Sequence, residues 1–132
     1  MLTRCFYAEE DGTVLGTPLR DRLREFVEAR EWTRFHDPKN LVMALASEIG
    51  ELAAEYRWVN NTESDALSRT DPARGRITAE IGDVGILLLL LCDRIGVELA
   101  DAVDAKLQAN EARYPVHLAR GRASRPDLSE SQ

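Results

Sequence analysis

The residues best placed to do chemistry fall in two short acidic motifs, Glu48-Ile49-Gly50-Glu51 and Glu80-Ile81-Gly82-Asp83. Each motif sets two carboxylates three residues apart. On a helix that spacing puts both side chains on one face, about 60° apart around the axis. Like charges so placed repel, so helix stability alone would not select the arrangement, yet it occurs twice with an Ile-Gly pair between the acids. The motifs also lie in the two most hydrophobic stretches of the chain, residues 41–52 and 77–91. Taken singly, each acid has the alternative of a solvated helix face. Four of them bordering a core need a compensating charge, because an ionised carboxylate is costly to bury alone. The expected chemistry is therefore cation binding. An all-oxygen ligand set suits a hard ion, Mg2+ with Mn2+ as a substitute, and not zinc or copper.

Two other site types fit less well. A di-iron bundle uses Glu-x-x-His on two of its helices, and neither His36 nor His117 stands in that relation to a glutamate. No G-x-x-x-x-G-K-[ST] loop is present, so phosphates would be held by the metal and by basic side chains.

The elements that must position these motifs read as helices. Thr17-Pro18 has the form of a cap followed by a first-turn proline, and Leu19, Leu23, Phe26 and Val27 then recur at helical spacing to about residue 30. Trp32 and Phe35 follow, as core anchors or as pocket walls. Asp37-Pro38 opens a second helix that carries the first acidic motif to about residue 59 and closes at Asn60-Asn61. Gly50 in its middle suggests a place where another helix or a ligand approaches the backbone. Residues 60–74 form a polar connection with room for a turn of helix. A third helix over residues 73–95 carries the second motif. Its later part is apolar all round, which predicts burial on every side in an oligomer. Gly96 stops it, and a fourth helix over residues 99–113 places Leu99, Val103, Leu107 and Asn110 on one stripe before Tyr114-Pro115. The domain reading is an irregular arm (residues 1–17), a helical domain (18–116) and a basic, flexible tail (117–132).

Composition agrees with this reading. At 132 residues, 44% hydrophobic and 30% charged, the chain suits one globular domain, and its 6% aromatic content with abundant Leu and Ala favours helix over sheet. A formal charge of −6 and the absence of a long basic stripe argue against a general nucleic-acid binder. Cys5 and Cys92 show no pairing pattern and read as reduced thiols. The first residues lack the apolar core of a signal peptide, and the apolar run 84–92 is far short of the ~20 residues that span a bilayer. The expectation is a soluble, cytoplasmic protein without membrane or nucleic-acid partners.

Taken together, Glu48-x-x-Glu51 and Glu80-x-x-Asp83 resemble the signature of the all-α nucleoside-triphosphate pyrophosphatases, the MazG-like superfamily. Two flanking stretches, Trp32-Thr-Arg-Phe-His-Asp-Pro-Lys-Asn-Leu and Lys106-x-x-x-Asn110-x-x-Arg113-Tyr-Pro-Val-His, are similar to its dCTP pyrophosphatase branch. The resemblance covers about residues 18–123. It implies a four-helix bundle core assembled as a homotetramer, a dimer of dimers. It also implies Mg2+-dependent cleavage of a (deoxy)nucleoside triphosphate to the monophosphate and pyrophosphate. Glu48, Glu51, Glu80 and Asp83 match the metal ligands, with Glu48 or Glu51 as the base that activates water. Trp32 and Trp58 match aromatic residues of the base pocket, with His36 and Asn40 nearby. Lys106, Asn110, Arg113 and Tyr114 match the stretch that reaches phosphates and sugar. Plainer readings stay open for Trp58 (core), Asn110 (a surface amide) and His36 (a cap or turn residue). The chain departs from the branch at Leu23 and Leu87, where dCTP-specific relatives carry His and Tyr. That leaves the choice of base open among dCTP, dUTP, modified pyrimidine nucleotides and a broader set. The rivals of another class are a nucleotide-binding oligomer without turnover and a purely structural helical protein.

Overall fold

In the computed structural model, which describes residues 17–124, the described residues form six α-helices and one 3-10 turn, with no strand. The chain is all-α. The helices are α1 (Thr17–Glu28), α2 (Pro38–Tyr56), α3 (Asn61–Arg69), α4 (Ala73–Ile95), α5 (Leu99–Arg113) and the single turn α6 (Val116–Ala119); the 3-10 turn spans Trp32–Phe35. The tail beyond residue 124 and all but the last residue of the N-terminal arm lie outside the described residues.

Local chemistry accounts for the helix boundaries. Asp37 caps α2 by accepting the Asn40 backbone N–H at 3.0 Å, and Pro38 occupies the first turn, where its missing N–H costs nothing. Asn60 caps α3 in the same way through Glu63 N–H at 3.0 Å. Gly96 ends α4 with φ of 69°, a left-handed conformation that glycine adopts without a Cβ penalty.

The described residues divide into two compact units, one up to Ile95 and one from Gly96 onward. In the first, α2 packs along α4, and α1 and α3 add to α4. The buried side chains are Val27 of α1, Leu41 of α2, and Ala73, Ile77, Leu89 and Cys92 of α4. The thiol of Cys92 is free and buried, so it acts as a small core residue. An ion pair between Arg24 and Asp93 fastens α1 to the far end of α4, and this guanidinium holds the Asp93 carboxyl below its ordinary range. In the second unit, α5 leaves Val103 and Leu107 more than half exposed above an open groove of about 410 Å3.

Two expectations are corrected. The connection after α2 is a nine-residue helix: α3 has few apolar residues, but Asn60 caps it and the Tyr56 hydroxyl pairs with Ser68 at 2.8 Å. Along α4, Ile81, Ile86 and Ile95 are each more than 40% exposed in this chain, and they form the surface that the expected oligomer would have to cover. Among the described residues of this chain, Gly50 and Gly82 are not points of close helix approach. A Cβ at either meets nothing within 4 Å, because each glycine lies two positions after an acid, about 200° round the helix from the side that packs.

Candidate metal centre

Because α2 and α4 lie side by side, their acidic motifs meet. Glu48, Glu80 and Asp83 each present a carboxylate oxygen, and the three oxygens lie within 4.8 Å of one another. Glu48 and Glu80 are half-buried and Asp83 is exposed. Desolvation, followed by the charges of Glu51 and Asp83, pushes the Glu48 carboxyl above its ordinary range. Desolvation also leads for Glu80, followed by Glu51, Glu48, Asp83 and Glu55, and its carboxyl is raised as well. One oxygen of Glu80, Oε2, is buried without a hydrogen-bond partner among the described residues.

These observations test whether a cation fits. A buried oxygen with no donor facing it is an unmet acceptor, which a positive charge would satisfy. Three oxygens within 4.8 Å leave a point no more than about 2.8 Å from each, so small side-chain rotations reach the ~2.0–2.1 Å of magnesium–oxygen bonds. The donors are all hard carboxylates. The residues fit a divalent cation.

Glu51 stands outside the trio, yet its charge acts on both Glu48 and Glu80. It is exposed and lies one helical turn along α2 from Glu48. The remaining expected site residues fall in separate places. Trp32 is 43% exposed and meets Phe26 edge to face at 5.7 Å, with the Arg30 guanidinium 3.8 Å over the Phe26 ring. Trp58 lies in the turn after α2 and is 89% exposed, so it is not a core residue of this chain. His36 is the C-cap of the 3-10 turn, donating its backbone N–H to Thr33, and it lines a cavity of about 270 Å3 with Arg24, Asp93 and Arg94. That cavity sits about 15 Å along α4 from Asp83, ten residues at 1.5 Å each. The Asn40 amide is engaged locally, donating to Asp37 Oδ2 at 2.7 Å and to the Phe35 carbonyl at 3.1 Å. Lys106, Asn110 and Arg113 share one face of α5 in the second unit, and Tyr114 is its C-cap, donating N–H to the Asn110 carbonyl.

Sequence reasoning missed one contributor. Glu55 acts on Glu80 and pairs with Arg76, whose Nε contacts its two oxygens at 3.1 and 3.0 Å. The signal was available: Glu55 lies four residues past Glu51, and Arg76 four before Glu80.

A helical chain whose two facing helices bring carboxylates of paired acidic motifs into one cluster defines the class, and residues 45–125 match the MazG-like family. The chain belongs to that family. It is 42% identical to dCTP pyrophosphatase 1 of Mus musculus, over 82% of this chain and 67% of the relative. It is 41% identical to the Homo sapiens protein of the same name, over 73% of this chain and 56% of the relative. The chain thus spans only part of the curated relatives' length. Among solved structures, a pyrophosphatase from Archaeoglobus fulgidus matches with a TM-score of 0.70 and 34% identity, covering 83% of this chain and 97% of that one. Among the described residues, no helix is long and apolar enough to cross a membrane.

Proposed function

We propose that this chain is a Mg2+-dependent nucleoside triphosphate pyrophosphohydrolase. It cleaves between the α and β phosphates to give a (deoxy)nucleoside monophosphate and pyrophosphate, with dCTP or a related pyrimidine deoxynucleotide as substrate. The observation that carries the reading is the carboxylate trio with the unpartnered Glu80 oxygen, in a chain 42% identical to a dCTP pyrophosphatase.

Glu48, Glu80 and Asp83 would hold the cation. When bound, a divalent ion supplies Lewis-acid polarisation of phosphate oxygens and a more acidic water. Glu51, outside the trio, is then left as the carboxylate that accepts the proton of the attacking water. Lys106 and Arg113 steady the phosphates as a point charge and a planar fork. Asn110 and Tyr114, on the same helix end, contact the sugar. Trp32 and Trp58 present aromatic faces to the base, with His36 and Asn40 in support. Mn2+ substitutes for Mg2+, since both accept oxygen ligands in octahedral geometry.

Exposed apolar residues on α2 (Val42, Met43, Ile49) and α4 (Ile81, Ile86) support assembly as a homotetramer, a dimer of dimers. The cellular reading is removal of surplus or damaged deoxynucleotides in the cytoplasm. Leu23 and Leu87 favour a second reading on the substrate: the same cleavage acting on dUTP, modified or broader triphosphates. Incubating the purified chain with Mg2+ and a panel of canonical and modified nucleoside triphosphates, and measuring pyrophosphate, tests both readings. Release of orthophosphate in place of pyrophosphate would refute the cleavage position. Nucleotide binding without turnover would favour the non-catalytic binder.

A further inference from the structure

The facing sides of α2 and α4 form a seam of three rungs. Glu48 meets Asp83, Glu51 acts on Glu80, and Glu55 meets Arg76. Residue numbers rise along one helix and fall along the other, so the helices run antiparallel. Two rungs are acid against acid, and the last is acid against base. Glu55 is the more enclosed partner of that last rung, its side chain 20% exposed against 54% for Arg76. Both contacts from Arg76 are made through Nε. The two residues lie 21 apart in sequence, on α2 and α4, so this is not a local helix pair.

A surface ion pair contributes little to stability, typically about 0–1 kcal/mol, so position decides what this one does. Arg76 lies one helical turn from Glu80 on α4, and Glu55 one turn from Glu51 on α2. A positive and a negative charge are thereby fixed at the end of the carboxylate seam.

We propose that the Glu55–Arg76 ion pair tunes the cation seat, its two opposite charges setting how tightly Glu48, Glu80 and Asp83 hold a divalent ion. The inference rests on the reading of that trio as a cation seat. Glu55 and Arg76 are positioning residues in this scheme: they act through the field at the seat and touch neither metal nor substrate. Removing the Glu55 charge leaves an uncompensated cation beside the seat and weakens metal binding. Removing the Arg76 charge leaves a further carboxylate and tightens it. A unit charge and a divalent ion roughly 8 Å apart in a water-like medium differ in interaction by about fivefold in affinity.

The test is Mn2+ binding to the full chain without nucleotide, followed by the electron paramagnetic resonance signal of free Mn2+ at pH 7.5, with far-UV circular dichroism to check the fold. Glu55→Gln is expected to bind about fivefold more weakly and Arg76→Gln about fivefold more tightly. Arg76→Lys, which keeps the charge, and the double variant Glu55→Gln/Arg76→Gln, which removes both charges, are expected to stay within about twofold of wild type. Single variants that shift in the same direction overturn the proposal, because a pair that merely clamps α2 to α4 would weaken the seat either way. Single variants that both stay at the wild-type affinity overturn it as well. A wild-type chain that binds no Mn2+ refutes the cation seat itself, and the inference with it. Binding with same-direction shifts refutes only the inference.

Discussion

Replacing Glu80 by Gln removes the carboxylate that carries the unpartnered buried oxygen while keeping its shape. Two effects of opposite sign follow. The first concerns the metal-free protein. Desolvation and four surrounding carboxylates raise the Glu80 carboxyl above its ordinary range, so its ionised form is less favourable in the folded chain than in the unfolded one. A raised carboxyl contributes stability that is fully present below the unfolded value, about 4.3, and is lost as pH rises through the folded value. Metal-free wild type should therefore lose stability as pH rises from about 4 to 7, and Glu80→Gln should lose less over the same window. The second effect concerns the cation. The seat centre lies no more than about 2.8 Å from each of three oxygens, and about 4 Å from the charge centre of each carboxylate. A divalent ion and a carboxylate at about 4 Å in a water-like medium interact strongly enough that losing one ligand lowers affinity on the order of thirtyfold. Thermal unfolding measured at pH 4.5 and 7.5, with and without a Mg2+ titration, reads both effects. The expected result is a variant at least as stable as wild type at pH 7.5 without metal, whose stabilisation needs on the order of thirtyfold more Mg2+. A variant less stable without metal, yet stabilised by the same Mg2+ concentrations as wild type, would refute the reasoning on both counts.

Three further outcomes are expected. Glu51→Gln should lower kcat for pyrophosphate release by at least about a hundredfold while leaving Mn2+ binding within a few-fold of wild type; parallel loss of both would make Glu51 a ligand and not the base. Leu41→Ala, at a side chain only 2% exposed, should cost about 2–5 kcal/mol in urea unfolding, and a cost below about 1 kcal/mol would contradict its place in the core. Asp37→Ala removes both the α2 cap and the acceptor for the Asn40 amide, and should cost about 1 kcal/mol. If Asn40 serves the nucleotide pocket, the same variant should raise KM with little change in kcat, a split that steady-state kinetics reports directly.

The sequence carried much of this site because its central signal is local. Two acids three residues apart, in each of two motifs, are visible without knowing what lies across from them, and α2 and α4 were delimited by Asp37-Pro38 and Gly96. What stayed hidden depends on the partner face. That Glu51 faces Glu80 yet stays outside the trio depends on where its side chain reaches across the seam, and no spacing rule gives that. Gly50 and Gly82 illustrate the opposite error. Their place beside the acids suggested close approach, but two residues along a helix is more than half a turn, which carries them to the outer side. The α3 helix escaped notice because its Ala66 and Leu67 make too short an apolar pattern, although Asn60 and Glu63 spelled out its start. Trp58 shows the limit of an isolated aromatic. Its type suggests a pocket or a core equally well, and only its near-complete exposure removes the second.

The unpartnered oxygen of Glu80 has a consequence for the life of the protein in a cell. A seam of like charges without its counter-ion works against the packing of α2 on α4, so a bound cation should make local opening at this point rarer. Proteases act on such openings in proportion to how often they occur. If the trio holds a divalent cation as proposed, the free concentration of that ion would govern how long a molecule survives as well as how fast it works. A cell poor in that ion would then hold fewer copies of this protein, without any change in its synthesis.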